Sequence, residues 1–144
     1  MKRHSIPDTH GKLKIISGTD PAAGADPTLV ADANTRWRII TVKAELVTDA
    51  TVATRQARLE LVVGGNTMFT VWSQVTHAAS IDNTYFWYPG GPDRSAAISN
   101  TINTGLPIEI LMSGANQLQI QTNNLQAGDN WSAITAYIEE WIEE

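Results

Sequence analysis

From Arg36 onward the chain alternates apolar and polar residues with a period of two, and that pattern confines it to extended structure. Over 36–47, Ile40, Val42, Ala44 and Leu46 share one face of a strand, while Thr41, Lys43 and Glu45 share the other. Ala57, Leu59, Leu61 and Val63 alternate in the same way with Arg58 and Glu60, and Gly64-Gly65-Asn66 then supplies the positive-φ residues of a tight hairpin. The segment 68–75 returns as its partner. Further strands are expected over 83–88, 106–112, 117–122 and 131–142, each set off by turn residues. In 117–122, Leu118 and Ile120 alternate with Gln117, Gln119 and Gln121, one dry face and one wet. The spacing of 131–142 also fits a helix, and its β-branched and aromatic residues favour a strand.

About eight strands separated by Gly, Asn and Pro turns predict an all-β fold, a two-sheet β-sandwich with jelly-roll-like topology. Strand order is not written in such a pattern. At 144 residues the chain is the size of one domain with a real core. Residues 1–35 are expected to form an extended N-terminal arm, with the sandwich over 36–144. Apart from Leu13-Lys14-Ile15-Ile16 there is little in the arm to bury, and Gly18, Pro21, Gly24 and Pro27 interrupt any regular element. Lys12 to Ser17 is the one strand it offers.

The net charge of -5 hides an asymmetry. Through Arg58 the balance is +3, and from Leu59 it is -8, which makes the C-terminal part a poor nucleic-acid surface. There is no cysteine, hence no disulfide, thiolate metal site or cysteine nucleophile. Lys2 and Arg3 are followed by Pro7, Asp8 and His10 where a signal peptide would carry an apolar core, and no stretch has the length of a membrane span. His4 and His10 match no metal-ligand spacing, and His77 lies in an expected loop with no acid beside it before Asp82. Glu139, Glu140, Glu143 and Glu144 read as an acidic tail. Asp20, Asp26 and Asp32 lack the spacing of a calcium loop. No phosphate-binding or nucleophile motif occurs. The expectation is therefore a binding or structural protein, with no enzymatic activity, no cofactor and no metal.

The most unusual composition is Tyr85-Phe86-Trp87-Tyr88, four aromatics on one strand that must send two to each face. One pair enters the core. The other is covered by another part of the chain, meets a partner, or offers a stacking platform to sugars, for which Trp72 also qualifies.

The segments Arg36-Trp37-Arg38-Ile39-Ile40-Thr41-Val42, Thr48-Asp49-Ala50-Thr51-Val52-Ala53-Thr54-Arg55 and Leu59-Glu60-Leu61-Val62-Val63-Gly64-Gly65-Asn66 resemble small β-sandwich structural proteins of tailed bacteriophages. Ser113-Gly114-Ala115-Asn116-Gln117-Leu118-Gln119-Ile120, Ala127-Gly128-Asp129-Asn130-Trp131 and Tyr137-Ile138-Glu139-Glu140 are similar in the same way, so that the resemblance covers roughly 36–140. It implies a virion component assembled in the host cytoplasm. A capsid decoration or cement protein comes first, often trimeric, with the major capsid protein as partner and neither nucleic acid nor membrane. A tail or neck connector and a carbohydrate- or receptor-binding module are the alternatives. Lys2, Arg3, Lys12 and Lys14, together with Tyr85, Phe86, Trp87 and Tyr88, are the expected partner interface. Arg55 is expected to clamp its turn by pairing with Asp49 or with backbone carbonyls.

Overall fold

The computed structural model describes residues 11–92, 94, 96–106 and 109–142, and these contain strands and turns but no helix. The first strands are β1 (Lys12–Ser17), β2 (Thr28–Val30), β3 (Thr35–Val47), β4 (Gln56–Val63), β5 (Asn66–Trp72) and β6 (Asp82–Pro89). They are followed by β7 (Thr101–Leu106), β8 (Ile110–Ser113), β9 (Gln117–Asn123), β10 (Asn130–Trp131) and β11 (Thr135–Ile142). One sheet runs β1-β11-β3-β6-β7, with β8 and β10 also paired to β3; the other runs β2-β9-β4-β5. β1 pairs with β11, β2 with β9, β3 with β6 and β4 with β5, all antiparallel. The first four strands are thus matched in reverse order by four later ones, like a long hairpin ribbon rolled into two layers. That is the jelly-roll arrangement expected from the sequence.

The ribbon begins earlier than expected. The stretch read as an arm supplies the first strand of each sheet: β1 lies along β11, with Lys12 opposite Glu140 and Ser17 opposite Thr135, and β2 lies along β9. Backbone hydrogen bonding draws it in, because pairing needs little from the side chains. Among the described residues 18–27, between β1 and β2, keeps the irregular character that its Pro and Gly residues dictate. Of the strand expected over 106–112 the described part is β8, β7 before it was not expected, and the strand expected over 131–142 is divided between β10 and β11.

The core lies between the sheets, around the fully buried Trp37, Trp87, Trp131, Tyr85, Leu59 and Ile120. β3 is its spine, and one detail departs from the sequence reading. Trp37 and Ile39 are buried, and so are Val42, Ala44 and Leu46, although the two sets differ in phase. A bulge reconciles them: Tyr137 pairs with Thr41 and Ile138 with Ile39, leaving Ile40 as the extra residue. Ile40 is therefore not on the core face with Val42. A second bulge, at Met68, interrupts β5, since Leu61 pairs with Phe69 and Val62 with Thr67. The hairpin between β4 and β5 turns on Gly64 and Gly65, at φ 56° and 82°, as the sequence requires.

Candidate interaction surface

The outer face of the larger sheet carries several exposed apolar side chains. Alternation along β1 sends Leu13 and Ile15 outward, and register sets Leu13 beside Glu139 and Ile15 beside Tyr137. β11 continues the rows to Arg38 and Thr41 on β3, and β8 adds Leu111 next to Arg38. Ile15 is 74% exposed, Leu13 56%, Leu111 55% and Tyr137 39%. Phe86 and Tyr88, both half-buried, extend the face, with the Lys43 ammonium 6.0 Å from the Phe86 ring centre. Where β6 leaves β3 at Val42 and β8 begins at Ile39, an open cleft of about 520 Å³ is lined by Arg38, Ile40, Thr41, Tyr88, Pro89 and Glu109. The bulge that keeps Trp37 and Val42 inside also delivers Ile40 to this cleft. Arg38 bridges Glu139 and, at 3.3 Å, Glu109.

Of the expected interface residues, Tyr85 and Trp87 are corrected to core residues. Both are fully buried and stack on each other at 5.4 Å, because their strand faces the opposite sheet. Only Phe86 and Tyr88 of the aromatic run reach the surface. Lys14 turns to Glu140 at 2.6 Å, and the second Glu140 oxygen accepts the Trp37 Nε1–H at 3.1 Å. Glu139 and Glu140 are thereby buried partners of Arg38, Lys14 and Trp37, not a solvated tail. Lys12 sits on the free edge of β1. Lys2, Arg3, His4, His10, Glu143 and Glu144 lie outside the described residues.

Behind this face, a buried polar cluster closes one end of the roll. Arg55, fully buried, donates through Nε and Nη2 to the two Asp129 oxygens at 2.9 and 2.8 Å. A further Nη2 hydrogen bond reaches Asp49 at 3.0 Å, and Nη1 donates to the Thr51 and Ala53 carbonyls. All five guanidinium N–H groups are used. Asp129 also accepts the backbone N–H groups of Asp49 and Gln126. Hydrogen bonding to Asp129 raises Arg55 further above its ordinary value. Burial alone would raise Asp129, but its bonds from Arg55, Gln126 and Asp49 and the charge of Arg55 outweigh that and hold the carboxyl below its usual range. The expected Asp49–Arg55 pairing is present, and the principal partner, Asp129, was not foreseen. Gly128 gives the two loops room to meet, since a Cβ there would stand 2.5 Å from an Asp49 oxygen and displace it.

His77 packs beside this cluster. Nε2 donates to the Ile81 carbonyl at 3.0 Å, which leaves Nδ1 to accept from the Tyr85 hydroxyl at 3.1 Å. Burial pushes its pKa down, so the ring is neutral and structural. Burial likewise raises the Tyr85 hydroxyl. Among the described residues no group of three or more His, Asp or Glu is placed to hold a metal ion.

No family model and no curated protein matches the chain. Among solved structures it is similar to a chain of the infectious bursal disease virus Gx strain, at 15% identity and TM-score 0.42, covering 96% of this chain and 36% of that one. It is similar also to the VP2 subviral particle of infectious bursal disease virus, at 18% identity and TM-score 0.39, covering 92% of this chain and 33% of that one. A third similarity is to dimeric latent PorU of Porphyromonas gingivalis, at 11% identity and TM-score 0.43, covering 96% and 13%. The chain spans about a third of the length of the viral chains it matches. With TM-scores below 0.5, none of these carries a functional inference.

The opposite outer face, on the smaller sheet, mixes polar rows with the exposed Val30, Met68 and Trp72. Trp72 is 37% exposed, with the Arg58 guanidinium 4.8 Å from its ring centre, and Gln121 adjoins Arg58 in register. Burial alone would raise Glu60, but bonds from Arg58 at 2.6 Å and Gln119 at 2.7 Å, with the charge of Arg58, hold it below its usual range.

Proposed function

We propose that this chain is a virion structural protein of bacteriophage type, a capsid decoration protein that adheres to the shell as a homo-oligomer and catalyses no reaction. The observation that carries the reading is the convergence of two separate signatures of its resemblance to phage structural proteins. The Thr48–Arg55 turn and the Ala127–Trp131 turn meet through Asp49, Arg55 and Asp129. The residues that carry the resemblance thus secure a scaffold. The exposed Leu13, Ile15 and Tyr137, with Leu111 across the Arg38–Glu139 ion pair, form the surface such a scaffold would bury on assembly, since exposed apolar area rimmed by polar residues marks interaction sites. Particles assembled without the protein and then mixed with it should show saturable occupancy at symmetric positions. Leu111→Asp, or removal of residues 1–10 with Lys2 and Arg3, should weaken it. Occupancy unchanged by both would remove this docking model. A tail or neck connector would use the same chemistry and would appear on tails or portals in labelled particles.

A second reading, binding of glycans or a receptor, is favoured by Trp72 and the polar rows beside it. Tyr85 and Trp87 no longer contribute to it, being buried. Loss of cell or glycan binding in Trp72→Ala would support it, and a glycan array without hits would end it.

A further inference from the structure

Among the described residues the edge strands β1, β2, β5 and β7 are not protected alike, and β8 and β10 add only short edges of four and two residues. β2 has three residues, β5 is broken by the bulge at Met68, and β7 has no exposed residue along its six positions. These are recognised ways of preventing a sheet edge from recruiting another strand. β1 has none of them. Its outer edge is unpaired among the described residues, its pairing to β11 runs six residues without a bulge, and it presents Leu13 and Ile15 to solvent. An edge lysine is a further deterrent: Lys14 is turned back and neutralised by Glu140, while Lys12, at the start of the strand, stays exposed.

We infer that β1 is a self-association edge, pairing antiparallel with β1 of a second copy across a twofold axis at Ile15. This deepens the homo-oligomer part of the proposed function and rests on that reading only for its biological setting. The occupant follows from the side chains. With Ile15 opposite its own copy, Leu13 meets Ser17 and Lys14 meets Ile16, while Lys12 meets Gly18, so no lysine opposes a lysine. The register centred on Lys14 would set two ammonium groups face to face, which is unfavourable across strands. Ile15 adjoins Tyr137 within each subunit, so the twofold would join two apolar stripes into one strip across a continuous sheet.

The absence of cysteine makes a clean test. Residues directly opposite in an antiparallel pair have Cα atoms about 4.5 or 5.5 Å apart, which a disulfide spans. In purified protein without particles, Ile15→Cys should oxidise rapidly to a covalent dimer, whereas Val52→Cys, 94% exposed on a distant loop, should not. Sedimentation should show a reversible dimer that Ile15→Lys weakens about tenfold or more, with unchanged circular dichroism. A monomer throughout the concentration range, a trimer, or a dimer that neither cross-links at residue 15 nor responds to Ile15→Lys would overturn the inference. Particle occupancy is measured separately, so loss of one result leaves the other standing.

Discussion

Arg55 and Asp129, 74 positions apart, form a two-pronged ion pair at 2.8 and 2.9 Å with neither side chain exposed to solvent. Two charges removed from water are tolerated only when every donor and acceptor is used, and here they are. The pair joins the loop after β3 to the loop before β10, and so fixes one end of the roll.

Breaking that pair should be severe. Arg55→Met and Asp129→Asn should each cost about 3–5 kcal/mol, measured by denaturant unfolding. The asparagine fails because all four groups around the carboxylate are donors, so either orientation of the amide sets NH2 against N–H. Arg55→Lys should not rescue, since one ammonium cannot reproduce five planar donors. The double variant should lose less than the sum of the singles; additive losses would show that the two side chains act independently.

His77 should make stability fall on mild acidification. Its folded pKa lies below the ordinary value, so at neutral pH the ring is uncharged in both states and nothing is lost. Below about pH 6.5 the unfolded chain takes up a proton that the folded ring refuses. Stability then declines until the folded pKa is reached. Thermal unfolding on either side of that window should show the decline, and His77→Gln should flatten it. An equally steep profile in that variant would place the proton uptake elsewhere.

Glu140 should matter more than its ion pair with Lys14. Lys14 is partly exposed, and Lys14→Ala should cost about 0.2–1 kcal/mol. Glu140→Ala also strands the buried Trp37 Nε1–H, at a cost of about 1–3 kcal/mol. The indole ¹⁵N–¹H cross-peak of Trp37 should move in the Glu140 variant and hold nearly still in the Lys14 variant.

Ile40 should tolerate substitution but not deletion. Ile40→Val changes one cleft residue and should cost no more than about 0.5–1.5 kcal/mol. Removing the residue abolishes the bulge and turns either Trp37 and Ile39 or Val42, Ala44 and Leu46 to the outer face. A folded, cooperative deletion variant in a far-UV and near-UV melt would refute the role given to the bulge.

Alternation made most strands legible from Arg36 onward, β7 excepted, and with them the inward Leu59, Leu118 and Ile120, the Gly64-Gly65 turn and the two-and-two division of Tyr85 to Tyr88. These are properties of neighbours, set by the period of an extended chain and by the φ values glycine permits. The partner of Arg55 was not legible, because nothing near either residue encodes a contact between loops 74 positions apart. Nor were the burial of Glu139 and Glu140 or the place of β1 beside β11: a polar residue becomes internal only when another strand brings it a donor, and an expected strand joins a sheet only where an edge is waiting. Even the phase change in β3 was visible as two conflicting apolar sets, yet only β11, pairing past Ile40, decided that both would be buried. The sequence by itself determined strands, faces and turns, which depend on local stereochemistry. Which strands meet, which charges are enclosed and which edge stays open were decided by the tertiary structure, because those depend on long-range pairing.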